Sequence, residues 1–323
     1  MRTVFLAVLR PGIGRAERRA QVGWSVSTVA EDVDVRCLAV DPCDGRTVFA
    51  GTHGKGVMRS RDGGNRWEPA GLAGLSVRAM TVAGGQVFAG TRPPRLFASR
   101  DGGGRWEELA GFRRLRSRFF WFSPAEPLSA YVQAIAASPG EPDVVLAGIE
   151  AGAVVRTGDG GASWQGHRPG AMRDCHSLAA HPGAAGWFYE GGWGGGAASD
   201  DGGAHWWRPG GLDRRYGWAV AADSVDPTLW YLSAAPGVRA HSGDADAAIY
   251  RSRRGEPWQR LRGGLPDPLR GMPYALLPGP APGQLVAGLS SGEVWESGDA
   301  GESWTRLEFR FPKIERSMVR LEA

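Results

Sequence analysis

Apolar residues alternate with small or polar ones in short runs, and the runs return in sets. Val35-Arg-Cys-Leu-Ala-Val40, Thr47-Val-Phe-Ala-Gly-Thr52 and Gly56-Val-Met-Arg-Ser60 follow one another with turn residues such as Asp41-Pro42 between them. A period of two over runs this short predicts strands. The first run recurs at 77–82, 132–137, 175–180, 217–222 and 274–277, and the second at 86–91, 144–149, 187–192, 229–233 and 285–289. The third run leads into a polar phrase, Ser/Thr-x-Asp-x-Gly-x-x-Trp, after which a fourth strand opens. That phrase stands at Ser60 to Trp67, Ser99 to Trp106, Thr157 to Trp164, Ser199 to Trp206 and Ser297 to Trp304, with a damaged copy from Ser252 to Trp258.

A four-strand set repeating every 40 to 58 residues or so predicts an all-β propeller of four-stranded antiparallel blades. Six blades are explicit. The chain ends supply a seventh: Thr3 to Val8 reads as its second strand, Gly12 to Arg15 as its third, Gly23 to Ser27 as its fourth, and Ser317 to Ala323 as its first. Pairing last with first closes the ring without exposed edges. The prediction is a seven-bladed propeller, six blades being the alternative, in a single domain over 1–323. Two insertions interrupt it, a basic and aromatic one at 112–130 and a loop at 234–248.

Composition narrows the class further. With 42% apolar and 22% charged residues the chain has material for a large core, and the many Gly and Pro fall at turns. No apolar stretch approaches 18 residues, and the run in 1–10 is short for a signal peptide, so it reads as a strand. Cys37, Cys43 and Cys175 form no close pair, which fits a reducing compartment and a cytoplasmic location. The net charge of +4 comes from scattered Arg, Lys occurring only at Lys55 and Lys313. Scattered charge predicts a solvated surface rather than a nucleic-acid partner, and a monomer is expected.

The repeated phrase itself is structural. Its Gly pair suits a tight hairpin, its Asp (Asp62, Asp101, Asp159, Asp201, Asp299) accepts from loop amides, and its Trp (Trp67, Trp106, Trp164, Trp206, Trp304) covers the loop. One dependable carboxylate per loop falls short of a calcium site, so neither metal nor cofactor is expected.

These residues resemble the Asp-box, or BNR, repeat of bacterial sialidases, sortilin-type receptors and photosystem II assembly factors, over nearly the whole chain. The chain looks most like bacterial BNR-repeat proteins of unassigned role. The resemblance implies a propeller with structural boxes; because the motif recurs in hydrolases, receptors and assembly factors, it implies no single activity.

Meander geometry then locates the site. Loops joining strands one to two and three to four share one face, so the boxes lie there, and both insertions flank the opposite mouth of the channel. At that mouth the starts of the inner strands bring together Asp34, Arg36, Arg78, Gln133, Asp174, His176, Tyr216, Trp218 and Tyr274, with Arg92 and Glu150 on adjacent loops. Convergent polar and aromatic groups suit a small ligand, an acidic sugar among the candidates, or a protein partner. The reading is a non-catalytic binding propeller. The alternative is a sialidase-like glycoside hydrolase: Arg residues are present to hold an anion, Tyr216 or Tyr274 to attack, and Glu150, Asp34 or Asp174 to move protons. The Arg-Ile-Pro signature that sialidases carry near their start is absent, as Arg10-Pro11-Gly12 and Arg92-Pro93-Pro94 show.

Overall fold

A computed structural model describes residues 3–19, 23–123 and 129–322. It contains seven antiparallel sheets, each a meander. Their inner strands are Val35–Val40, Ser76–Ala83, Val132–Ala137, Cys175–Ala180, Tyr216–Ala222, Pro273–Pro278 and Met318–Glu322, which number blades 1 to 7. Each inner strand packs on the next, and the seventh packs on the first, so the ring closes.

Closure runs through blade 7, where the chain ends meet. Met318–Glu322 pairs with Thr3–Val8, Met318 opposite Ala7 and Glu322 opposite Thr3, and Ile13–Arg19 and Gly23–Val29 complete the sheet. The seventh blade is therefore built as the alternation predicts, with the third strand running four residues past Arg15. In blades 3 and 4 the fourth strand narrows to the single bridges Arg156 to Gln165 and Ala198 to Trp207. Pro169 and Pro209 follow soon after, and a residue without an N–H extends no ladder.

Blades pack closely because the second strand carries glycine where the next inner strand crosses it. A Cβ on Gly148 would lie 2.3 Å from Cys175 Sγ, and one on Gly90 would lie 2.5 Å from Val132. Around these crossings Phe49, Leu146, Tyr189, Trp230 and Leu285 are fully buried. Each such side chain contributes about 1.5–3 kcal/mol by leaving water.

The repeated phrase folds as one motif. Ser60 Oγ donates to Asp62 Oδ1 at 2.9 Å and accepts from the Gly64 N–H at 2.9 Å; Asp62 Oδ1 accepts from the amides of Asn65 at 3.0 Å and Arg66 at 2.9 Å; Trp67 Nε1 donates to Gly64 O at 3.1 Å. The same set recurs around Asp101 and Trp106, Asp201 and Trp206, with close variants around Asp159 and Trp164 and around Asp299 and Trp304. In blade 5 Arg254 occupies the Asp position at φ 54°, and Ser252 Oγ turns to Glu256 O at 2.7 Å.

Both insertions hold short helical turns that the alternation does not predict. Ala110–Arg113 is α-helical and Arg116–Phe120 is a 3-10 turn, anchored by Phe112 edge-on to Trp164 with centroids 5.5 Å apart. Residues 124–128 of this insertion lie outside the described residues. In the other insertion the strand Leu229–Ala235 extends two residues beyond the expected 233, and Val238–His241 forms a 3-10 turn.

Candidate functional site

Hydrogen bonds separate the two ends of the ring. At one end, in blades 1, 4 and 6, the residue just before the inner strand accepts from the loop leaving strand two: Asp34 O from His53 N–H at 2.8 Å, Asp174 O from Trp193 N–H at 3.0 Å, Met272 O from Ser290 N–H at 2.8 Å. At the other end box loops bond to the loops joining strands one and two, as Gly63 N–H to Arg46 O at 3.1 Å and Ala300 N–H to Gly283 O at 2.8 Å. The boxes and the mouth thus occupy opposite ends.

Between the inner strands lies a cavity of about 260 Å³. Arg36, Arg78, Gln133, His176, Trp218 and Tyr274, all expected at the mouth, line it. Asp34, Asp174, Tyr216 and Glu150 stand behind these residues. Arg92 ends the strand Gln86–Arg92, opposite Ser76 in the ladder and outside the cavity wall. Arg10 and Arg316, not expected, also line the cavity. Arg316 precedes the inner strand of blade 7, and Ser317 to Ala323 as a predicted first strand is the signal that places it. Both have left-handed backbone, at φ 49° and φ 69°, a conformation that costs a non-glycine residue about 1–3 kcal/mol and concentrates at functional sites.

The cations divide by partner. Arg36 Nη2 donates to Asp34 Oδ2 at 2.5 Å, and Arg10 reaches Asp34 at 3.4 Å and Glu315 at 3.5 Å. Burial, with Arg10 close by, lowers the Arg36 pKa, and its Nε lacks a partner. Arg78 lies over the Tyr131 ring at 4.3 Å and Arg316 over the Trp218 ring at 5.5 Å. No ion pair is found for either among the described residues. Burial disfavours the Arg316 cation, but the Tyr131 and Tyr274 phenols and Glu150 more than offset it, and the net displacement is upward. No Asp or Glu lines the cavity among the described residues.

Behind this wall the acids are engaged. Asp174 accepts from Ala151 N–H at 3.0 Å and meets His176 Nε2 at 3.5 Å; burial pushes its carboxyl up, yet His176 and that amide bring it below the usual range. Glu150 accepts from Ser123 Oγ at 3.1 Å. His176 Nδ1 bonds Gly217 O at 2.6 Å, which sets its ring between Tyr216 and Trp218. His241 bridges two phenols, Nε2 to Tyr216 and Nδ1 to Tyr274, each at 2.7 Å. Burial and the nearby Arg316 push His241 down to about 4, so it is neutral near pH 7, donating to one phenol and accepting from the other. Burial raises Tyr216 and pushes Tyr274 up to about 12, so both phenols keep their protons. The whole is a cationic rim facing a hydrogen-bonded aromatic wall.

No protein-family model matches the chain, and no curated protein matches it in sequence. Solved structures do. An ancestral GH74 enzyme aligns with 93% of this chain at TM-score 0.62 and 20% identity, and the chain spans 39% of that enzyme's length. YCF48 bound to D1 peptide aligns with 85% of this chain and 82% of its own at TM-score 0.56 and 19% identity. U3-55K aligns over 88% of this chain and 84% of its own at TM-score 0.61 and 12% identity. Likeness at such identities is likeness of fold: the chain is a seven-bladed β-propeller, an architecture it has in common with enzymes and with propellers that bind peptides.

Proposed function

We propose that this protein is a non-catalytic propeller of the Asp-box type, one domain over 1–323, that captures a carboxylate-bearing group of a small ligand or partner at its channel mouth. One observation carries the reading: among the described residues four arginines and no carboxylate line the cavity, and Arg78 and Arg316 lie over aromatic faces with no ion pair. Arg78, so placed, keeps its donors for a ligand, Arg316 keeps those that the Tyr131 phenol leaves, and a guanidinium fork is matched in shape by a carboxylate. YCF48, solved with a D1 peptide, is a propeller of this fold with a bound partner segment. Three free cysteines support a reducing, cytoplasmic setting, and no described helix is long and apolar enough to cross a membrane.

Calorimetric titration with glucuronate, sialic acid and citrate, against glucose as the neutral control, tests this. Binding of an acid, lost in Arg78→Ala and Arg316→Ala, is expected. No binding of any acid, or binding indifferent to both changes, overturns the reading.

A second reading, a sialidase-like hydrolase, has one specific observation in its favour: buried Tyr131 lies beside Glu150 and under Arg78. Burial and Glu150 raise the Tyr131 pKa, the pairing of a phenol with a base. Turnover of methylumbelliferyl sialoside that vanishes in Tyr131→Phe establishes it; a panel of such glycosides left intact removes it.

A further inference from the structure

Beside the mouth a second cleft of about 480 Å³ opens between residues 117–122 and the adjoining loops of blades 3 and 4. Phe120, Trp121, Phe122 and Trp193 line it together with the small residues 151–153. Phe120 is 82% exposed and Trp193 56%. Single exposed aromatics are ordinary, but several around one cleft mark a binding surface.

Charge says what kind. Arg173 lines the cleft with no ion pair found among the described residues, and Arg114 and Arg116 are exposed on the neighbouring segment. Among the described residues the one acid in the cleft is Asp174, held by His176 and the Ala151 amide. His167 accepts from Val154 N–H at 3.3 Å, and burial with Arg173 lowers its pKa, keeping it neutral near pH 7. Asp174 also joins the cleft to the mouth, because its partner His176 lines the channel.

We propose that this cleft docks an extended acidic segment of a partner protein. A large apolar side chain sits between Phe122 and Trp193, one carboxylate meets Arg173, and another passes Asp174 to the channel arginines. This rests on the carboxylate-capturing reading of the mouth and adds where the rest of the ligand lies. The small residues Ala151 to Ala153 let a main chain approach. A nucleic acid instead needs a continuous track of cations for successive phosphates, whereas Arg173 and the mouth are separate points with an acid between them.

Fluorescence anisotropy tests it with a short fluorescein-labelled peptide alternating glutamate with phenylalanine and leucine, a lysine-for-glutamate control, and labelled oligouridylate. Trp193→Ala and Arg173→Glu alter exposed side chains, Trp193 touching the Tyr216 ring edge-on at 5.5 Å, and each is expected to weaken the acidic peptide by roughly tenfold or more, the effect of losing an interface anchor. Peptide affinity unmoved by both changes, while Arg316→Ala still abolishes glucuronate binding, overturns this inference and leaves the mouth reading standing. Glucuronate binding indifferent to Arg316→Ala overturns both. Oligouridylate bound in preference to the acidic peptide overturns it in favour of RNA.

Discussion

Arg156 Nε in blade 3 donates at 2.7 Å to the carbonyl oxygen of Gly202, inside the box loop of blade 4. The contact repeats. Arg59 reaches Gly102 from blade 1 to blade 2, Arg251 reaches Ala300 from blade 5 to blade 6 at 3.0 Å, and Arg15 reaches Gly63 from blade 7 to blade 1 at 3.1 Å. In three of the four the arginine immediately precedes the Ser or Thr of its own box. Box loops are thus interblade acceptors as well as hairpins. Blade 2 has Ala98 at that position and blade 4 has Ala198.

Arg156→Ala is expected to lower unfolding stability by about 1.5–3 kcal/mol, the worth of one hydrogen bond with a charged donor. Urea unfolding measures it. A change within the error of the midpoint sinks the clamp as a source of stability.

Arg15 differs because it is buried and paired with buried Glu17 at 2.8 Å. Removing one member strands the other charge, which costs about 3–5 kcal/mol. Glu17→Ala is therefore expected to be clearly more damaging than Arg156→Ala in the same assay, and equal losses contradict it.

Asp201 sets an acid limit. Burial raises its carboxyl, but the His205 and Ala204 amides, the His205 ring and the Ser199 hydroxyl bring it to about 2; Asp159, held by Ser163 and Thr157, is also at about 2. A folded pKa below the ordinary 3.8 gives stability that is present above that value and lost as pH falls toward 2. Between pH 4 and 2 the Asp201→Ala variant should show a flatter decline in melting temperature than the parent. Parallel declines reject the assignment.

Glu190 acts in the opposite direction. It is fully buried in the second strand of blade 4, where blades 1, 2, 3 and 6 place Ala50, Ala89, Ala147 and Ala287, and Oε1 has no hydrogen-bond partner among the described residues. Burial pushes it up to about 8, although it accepts from Met172 N–H at 2.9 Å. The unfolded chain releases this proton near 4.5 and the folded chain near 8, so stability falls as pH rises across that interval and is level above it. Glu190→Gln, which keeps the acceptor, should gain stability progressively from pH 5 to 8, by a few kcal/mol on the order of the shift. A gain that does not vary with pH counts against it.

Strand order and blade count were legible because alternation and the boxes repeat, and each repeat checks the others. Arg36, Arg78 and His176 were legible at the mouth for the same reason, as equivalent positions on equivalent strands. Arg316 had one signal, its place just before the predicted strand Ser317 to Ala323, but blade 7 has no intact box to set the register of Arg316 or Arg10, and left-handed backbone leaves no trace in residue type at an arginine. The helical turns of 110–120 were hidden by a segment with neither period. The arginine before the box was visible in sequence, but its partner lies in the next blade, and no local pattern points there.

The composite seventh blade gives the mouth a dependence on assembly. Arg10 follows the strand that begins the ring and Arg316 precedes the strand that seals it, so the two stand together only after Met318–Glu322 has paired with Thr3–Val8. Until then half of the cationic rim does not exist. An anion held there recognises a finished ring, and its binding free energy is spent on keeping the last strand in place.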